Sequence, residues 1–119
     1  MSRKKRIFVA DDDPGILDAL TLILEEFDYE VETTNDGAKV HDIQPGRFDL
    51  LLLDIWMSGW NGRDICLALK SQPATKNLPI ILISANKDTE KIAREAGADD
   101  FIGKPFELDE LVAKIEKYM

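Results

Sequence analysis

The sequence predicts an α/β fold in which five parallel strands form one doubly wound sheet and helices cover both faces. Short apolar segments alternate five times with segments of helical period along the chain. Two of the apolar segments are hydrophobic at every position, which is typical of strands buried on both sides. The chain has 119 residues, 45% of them hydrophobic, which suits a single domain over 1–119 with a substantial core.

The first strand and helix give the clearest pattern. Residues 7–10 form a short apolar run that predicts a buried strand. Asp13 followed by Pro14 predicts a helix start, because aspartate caps free N–H groups and proline fits the first turn. The apolar residues of this helix recur at helical spacing and are Ile16, Leu17, Leu20, Ile23, Leu24 and Phe27. The next strand, 29–33, alternates in polarity, which predicts a position near an edge of the sheet.

The middle of the chain continues the alternation. A short helix is predicted over 36–43. The central strand is predicted over 50–53, where four leucines follow one another. Asn61 and Gly62 then begin a helix that extends to about Lys70.

The last third of the chain adds two strands and two helices. Residues 79–83 form a second fully apolar strand, and Asn86 or Asp88 caps a helix that ends near Gly97. A brief strand follows over 100–102. The final helix has an apolar stripe formed by Leu108, Leu111, Val112 and Ile115.

Charge and hydropathy disfavour nucleic acid and membrane partners. The net charge is −8, whereas binding a phosphate backbone needs Lys and Arg to displace counterions. We interpret the basic residues 3–6 as a solvated approach to the first strand rather than as a binding patch. No apolar run approaches the roughly 20 residues that span a bilayer. The basic start lacks the apolar stretch of a secretory signal, so we expect a cytoplasmic location.

The single cysteine and the single histidine carry little functional information. Cys66 has no partner for a disulfide within the chain, and its apolar surroundings in sequence predict a small buried side chain. His41 has no second histidine or cysteine with which to form a metal site, so we expect it at the surface or at a helix end.

Polar side chains gather where the predicted strands end. Residues 11–13, all aspartate, follow the first strand, Asp54 ends the third, Ser84 follows the fourth and Lys104 follows the fifth. In doubly wound folds ligands bind beyond the carboxyl ends of the strands. Any one of these aspartates, Asp13 above all, could be a helix cap or turn residue, but the combination on four strand ends predicts a site.

The chemistry of this group favours magnesium and phosphoryl transfer. Two carboxylates about 4 Å apart repel each other by roughly 4 kcal/mol at an effective dielectric of 20. Such a cluster must raise its pKa values or bind a cation, and its oxygen ligands suit Mg²⁺. Lys104 can balance further charge, and Ser84 can donate a hydrogen bond to a phosphoryl oxygen. Asp54 can then be the nucleophile that forms an aspartyl phosphate.

Five motifs in a fixed order resemble one known family over nearly the whole chain. They are residues 8–14 (FVADDDP), 49–57 (DLLLLDIWM), 61–62 (NG), 83–85 (ISA) and 96–101 (AGADDF) with 104–106 (KPF). In these motifs the chain resembles the receiver domain of bacterial two-component response regulators. The resemblance implies a flavodoxin-like fold with strand order 2-1-3-4-5.

The resemblance also implies a role for each residue of the group. Asp54 would accept a phosphoryl group from a phosphohistidine on a sensor histidine kinase or a histidine phosphotransfer protein. The Mg²⁺ ligands would be Asp11, Asp12, Asp54 and the backbone carbonyl of Trp56. Ser84 and Lys104 would contact the phosphoryl group, and the bond from Lys104 to Pro105 would be cis.

The implied output is a change of surface rather than turnover of a diffusible substrate. Ser84 and Phe101 would be the switch pair, and their movement would shift the surface of helix 4, strand 5 and helix 5. The domain would catalyse only its own phosphorylation and dephosphorylation. Its downstream target or output domain is not identified by the sequence, and a homodimer through the last helices is possible.

Three residues depart from the family pattern. Ser58 stands where the family usually has proline, and Phe101 replaces the commoner tyrosine. Trp56 is bulky for a position two residues after Asp54. Two interpretations of Trp56 stand equally: its indole hinders the hydrolytic water and prolongs the phosphorylated state, or it lies flat on the surface.

Particular residues disfavour four other functions. A P-loop over 97–104 has one residue too many, and Pro105 replaces its Ser or Thr. A flavin phosphate would be repelled by the anionic pocket. A dehalogenase-type phosphatase would need an aspartate at the position of Trp56. A receiver fold that acts as an interaction module without phosphorylation is disfavoured by the intact acidic set, Ser84 and Lys104.

Overall fold

A five-stranded parallel sheet forms the centre of the protein in the computed structural model, which describes residues 4–57, 59–85 and 87–119. Its strands are β1 (Arg6–Ala10), β2 (Glu30–Thr34), β3 (Leu50–Asp54), β6 (Ile80–Ser84) and β7 (Asp100–Gly103). Their order across the sheet is β2-β1-β3-β6-β7, and all adjacent pairs are parallel. With the sheet's strands numbered one to five, this is the predicted order 2-1-3-4-5, so the fold class is confirmed.

Two very short strands form a separate hairpin that the sequence pattern did not predict. They are β4 (Trp56–Met57) and β5 (Trp60–Asn61), which pair antiparallel directly after β3. Ser58, which stands in place of the family's usual proline, lies outside the described residues. The hairpin therefore forms the first part of the connection from β3 to the next helix.

Within the residues that the structure describes, five helices complete the alternation. They are α1 (Pro14–Glu26), α2 (Gly37–His41), α3 (Gly62–Lys70), α4 (Thr89–Ala96) and α5 (Leu108–Lys117). The predicted cap of the first helix is confirmed, since the Asp13 side chain accepts from the Gly15 N–H. The predicted start of the third helix is confirmed too, and the Asn61 side chain caps it by accepting from the Arg63 N–H. Of the two predicted caps of α4, Asp88 lies at the N-cap position and Asn86 lies outside the described residues.

The core consists of two apolar clusters, one on each face of the sheet. Leu51 and Leu53 of β3 face α2, α3 and α4, whereas Leu50 and Leu52 face α1 and α5. All four leucines are fully buried, which explains why β3 is apolar at every position. Each such side chain contributes roughly 1.5–3 kcal/mol by leaving water, so this strand is held firmly in place.

Two residues assigned to apolar stripes are instead exposed. Phe27 is 48% exposed because it follows the last turn of α1 as its C-cap. Leu108 is 41% exposed because it is the first residue of α5. Both predictions were wrong for the same reason, since helical spacing alone does not show at which residue the buried part of a helix begins or ends.

No helix within residues 4–57, 59–85 and 87–119 combines the length and apolarity needed to cross a membrane.

The buried cysteine gives a first test of the packing. The Cys66 side chain is fully buried and its Sγ contacts the Ala96 carbonyl oxygen at 3.6 Å. Burial raises the pKa of this thiol to about 12, so thiolate is scarce at neutral pH. We expect a disulfide reagent at about pH 8 to leave the native protein unmodified and to label one thiol after denaturation in guanidinium. Rapid labelling of the native protein, followed by absorbance, would contradict this packing.

Candidate functional site

Asp11 and Asp54 lie side by side at the carboxyl ends of two paired strands. Ala10 pairs with Leu53 in the register of β1 and β3, so the next residue of each chain segment is an aspartate. Asp11 is 1% exposed and Asp54 is 6% exposed. Two buried carboxylates this close repel each other, because little water is available to screen them.

The ammonium group of Lys104 lies between the two carboxylates. Its Nζ is 2.9 Å from Asp11 Oδ2 and 3.5 Å from Asp54 Oδ2. The Lys104 backbone N–H donates to the carbonyl oxygen of Ser84 at 2.8 Å, which attaches the segment after β7 to the end of β6. The peptide bond from Lys104 to Pro105 is cis, as predicted.

Ser84 is brought to the same edge of the sheet. Asp54 pairs with Ile83 in the register of β3 and β6, so Ser84 lies one residue beyond this level. Ser84 is 1% exposed. Four of the predicted site residues, on four strand ends, therefore meet at one edge: Asp11, Asp54, Ser84 and Lys104.

The pKa values in this group follow from burial and charge. The pKa of Asp54 is raised to about 6, mainly by burial and then by the neighbouring Asp11 carboxylate, while Lys104 opposes both effects. Burial lowers the pKa of Lys104, but its contacts with Asp11 and Asp54 outweigh this and raise it above its usual value. The group is therefore short of positive charge once Asp54 ionises.

The residues present fit a divalent cation, although not all predicted ligands converge. Asp11 Oδ2 is buried, and the Lys104 ammonium lies 2.9 Å from it. Such an oxygen suits a hard cation. Asp12 is exposed, and no three acidic, His or Cys side chains among the described residues are gathered into a metal-binding group. Asp12 is thus not brought to the Asp11–Asp54 pair in this structure.

Two predicted residues border the site without joining the polar group. The backbone N–H of Trp56 lies close enough to the Asp54 carboxylate to lower its pKa, while the Trp56 indole is 57% exposed. Phe101 lies on β7, is partly buried, and packs against the cluster under α4. The Nζ of Lys114 on α5 lies 5.5 Å from the centre of the Phe101 ring.

Sequence reasoning missed the close approach of Gly62 to the site. A Cβ atom on Gly62 would lie 2.4 Å from the Asp54 carbonyl oxygen, and the Gly62 N–H donates to the Ile55 carbonyl oxygen at 2.6 Å. Only glycine fits this contact. The signal available in the sequence was the pair of glycines at 59 and 62, since Gly59 turns the hairpin with φ +75°.

Comparison with known families identifies the class of protein. Residues 7–116 match the family model described as the response regulator receiver domain. The chain therefore belongs to the receiver domains of two-component response regulators, as the motifs predicted.

Individual relatives agree with this assignment. The chain is 36% identical over 118 residues to the DNA-binding response regulator MtrA of Mycolicibacterium smegmatis, covering 94% of this chain and 49% of that protein. It is 43% identical over 115 residues to the nisin biosynthesis regulatory protein NisR of Lactococcus lactis, covering 93% and 48%. The chain thus spans about half the length of these curated relatives.

Solved structures show the same architecture. The response regulator TrrA of Thermotoga maritima, solved in complex with Mg²⁺-BeF, matches with a TM-score of 0.85 at 33% identity, covering 97% of this chain and 99% of that one. A putative response regulator from Chloroflexus aurantiacus matches with a TM-score of 0.88 at 31% identity, covering 98% of both chains.

The raised pKa of Asp54 predicts how stability depends on pH. Between its ordinary value of 3.8 and about 6, the folded protein holds more protons at this group than the unfolded chain. Wild-type stability is therefore lost through this group as pH rises across that window. In buffer with a chelator, we expect Asp54→Asn to become more stable than wild type over the same window, by about 1–3 kcal/mol.

Denaturant unfolding at several pH values measures this difference. Asp18→Asn, which changes an exposed aspartate on α1 in the same way, is the matched control and should show a smaller change. A gap between Asp54→Asn and wild type that stays constant from about pH 4 to about pH 8 would contradict the raised pKa.

Proposed function

We propose that this receiver domain is a phosphorylation-dependent switch of a two-component phosphorelay and that Asp54 is its phosphoacceptor. The observation that carries this proposal is the buried pair of Asp11 and Asp54 with the Lys104 ammonium between them. A buried acidic pair that touches one movable ammonium group is prepared to receive further positive charge and a phosphoryl group.

The transfer step follows from the chemistry of a carboxylate nucleophile. An Asp54 carboxylate oxygen attacks the phosphorus of a phosphohistidine on a sensor histidine kinase or a histidine phosphotransfer protein. The new P–O bond forms as the P–N bond breaks, and its electron pair stays on the imidazole nitrogen of the donor. No diffusible substrate is turned over, because the domain promotes only its own phosphorylation and dephosphorylation.

Charge neutralisation supports this step. Mg²⁺ would neutralise carboxylate and phosphoryl oxygens, and its ligands would be Asp11, Asp12, Asp54 and the backbone carbonyl of Trp56. Lys104 would transfer its contact from Asp54 to a phosphoryl oxygen, and Ser84 would donate its hydroxyl to another. The similarity to TrrA, which was solved with Mg²⁺-BeF, supports this proposal.

The output we propose is a change of surface. As the Ser84 hydroxyl moves toward the phosphoryl group, the Phe101 ring turns into the space left behind. This movement would shift the surface of α4, β7 and α5 toward a downstream target protein, an output domain or a second copy of the domain. MtrA, a relative, is a DNA-binding regulator, but we propose no direct contact between this acidic domain and nucleic acid.

A phosphodonor assay tests the phosphoacceptor. With acetyl phosphate and Mg²⁺, we expect the protein to gain one phosphate, measured by intact mass, because Asp54 is the nucleophile. Asp54→Asn should gain none, and a chelator should suppress the gain in the wild type. Asp18→Asn, on the exposed face of α1, should be phosphorylated like the wild type. Equal phosphorylation of Asp54→Asn would overturn the proposal and leave the phosphorylation-independent module as the better one.

The exposed indole of Trp56 gives a separate prediction about switching off. Its ring is 57% exposed and its backbone lies beside Asp54, and we propose that the ring hinders the approach of a hydrolytic water. We expect Trp56→Asn to lose its phosphoryl group several-fold faster than the wild type, because the smaller side chain admits water.

The loss of the phosphoryl group is followed after rapid removal of the donor. Leu22→Asn on α1, where Leu22 is 69% exposed, controls for the loss of an exposed apolar side chain. A Trp56→Asn rate equal to or below the wild-type rate would show that the indole lies on the surface without shielding the site.

A further inference from the structure

The second tryptophan of the hairpin, Trp60, packs against the backbone of Gly37 at the start of α2. A Cβ atom on Gly37 would lie 2.3 Å from Cγ and 2.5 Å from Cβ of Trp60, so no side chain fits between them. Gly37 is buried and is not among the glycines with positive φ. Glycine is therefore required here for space rather than for backbone conformation.

The opposite strand of the hairpin leads directly to the phosphorylation site. Met57 pairs with Trp60, and Trp56 pairs with Asn61. Side chains of a directly opposed pair share one face of a hairpin, so Trp60, although 39% exposed, lies on the same face as the buried Met57. Met57 is 5% exposed within the core cluster. The residue before Met57 is Trp56, whose backbone N–H lies close enough to the Asp54 carboxylate to lower its pKa.

A hairpin of two two-residue strands is not stable without packing against other elements. At its α3 end it is fixed by Gly62, which lies against the Asp54 carbonyl oxygen. At its other end, Met57 packs in the core and Trp60 packs against Gly37. The Trp60 contact therefore joins the β3–α3 connection to a different element, α2.

We propose that Trp60 is a positioning residue for the phosphorylation site. Its indole, held on Gly37, fixes the hairpin so that the backbone of Trp56 stays directed at Asp54 and at the Mg²⁺ site. This inference rests on the proposed function, in which the Trp56 carbonyl is a Mg²⁺ ligand. A group that orients a metal ligand changes metal affinity when it is removed, whereas a group that only adds packing changes stability alone.

Two variants of Trp60 separate these roles. Trp60→Phe keeps an aromatic ring over Gly37, and Trp60→Ala removes it. Both leave Trp56 as the only tryptophan, so its fluorescence reports Mg²⁺ binding in the same way in each. We expect Trp60→Ala to bind Mg²⁺ about tenfold more weakly than Trp60→Phe. The Mg²⁺-induced rise in Tm, which does not depend on fluorescence, should fall in parallel.

Gly37→Ala tests the contact from the other side. In the Trp60 background its methyl group must displace the indole, so we expect weaker Mg²⁺ binding and lower stability. In a Trp60→Gly background, which also removes the Trp60 Cβ that would lie 2.5 Å away, that space is open. The same substitution should then leave Mg²⁺ affinity unchanged and make the protein at least as stable, because alanine is the better helix former.

The outcomes distinguish this inference from the proposed function. If Trp60→Ala is less stable but binds Mg²⁺ as Trp60→Phe does, Trp60 is structural only and the inference is overturned. An effect of Gly37→Ala on Mg²⁺ affinity that is equal in both backgrounds would also overturn it. If wild type itself binds no Mg²⁺ and gains no phosphate from acetyl phosphate, the proposed function fails and the inference fails with it.

Discussion

The repulsion between two adjacent buried carboxylates is the constraint on which the rest of the site depends. The register of β1 and β3 forces Asp11 and Asp54 to be neighbours, and burial removes the water that would screen them. The ammonium group of Lys104 lies within 3.5 Å of both carboxylates and partly offsets their repulsion. One positive charge cannot balance two negative charges, so the pKa of Asp54 remains raised. The site is stable enough to form and is still short of positive charge.

The sheet tolerates this unfavourable arrangement because its central strands are so completely buried. Every side chain of β3 from Leu50 to Leu53, and those of β6 from Ile80 to Ile83, is fully buried between helices on both faces. At roughly 1.5–3 kcal/mol for each fully buried side chain, this packing outweighs the repulsion at one edge. The same packing fixes the strand register, and the register brings Asp11 and Asp54 to one level and Ser84 one residue beyond it. The core therefore determines the geometry of the site.

Most of the fold and the polar group could be predicted from the sequence because both follow from regular periods. Parallel strands end at a common edge, so residues that follow them, such as Asp54 and Lys104, are neighbours in space. Features without a period were missed. The β4–β5 hairpin has only two residues per strand, which is too short to show alternation. Likewise, spacing did not show that Phe27 and Leu108 lie outside the buried turns of their helices.

The hairpin assigns different environments to two tryptophans four residues apart. Trp60 shares the inward face with Met57 and is held against Gly37, whereas the indole of Trp56 is 57% exposed beside Asp54. This difference follows from antiparallel pairing, in which neighbouring cross-strand pairs face opposite sides. Changing Trp60 should therefore alter the position of the Trp56 backbone. Changing the Trp56 side chain should alter the access of water to Asp54. Because Mg²⁺ affinity reports the first effect and the rate of dephosphorylation reports the second, the two roles can be separated within one short segment.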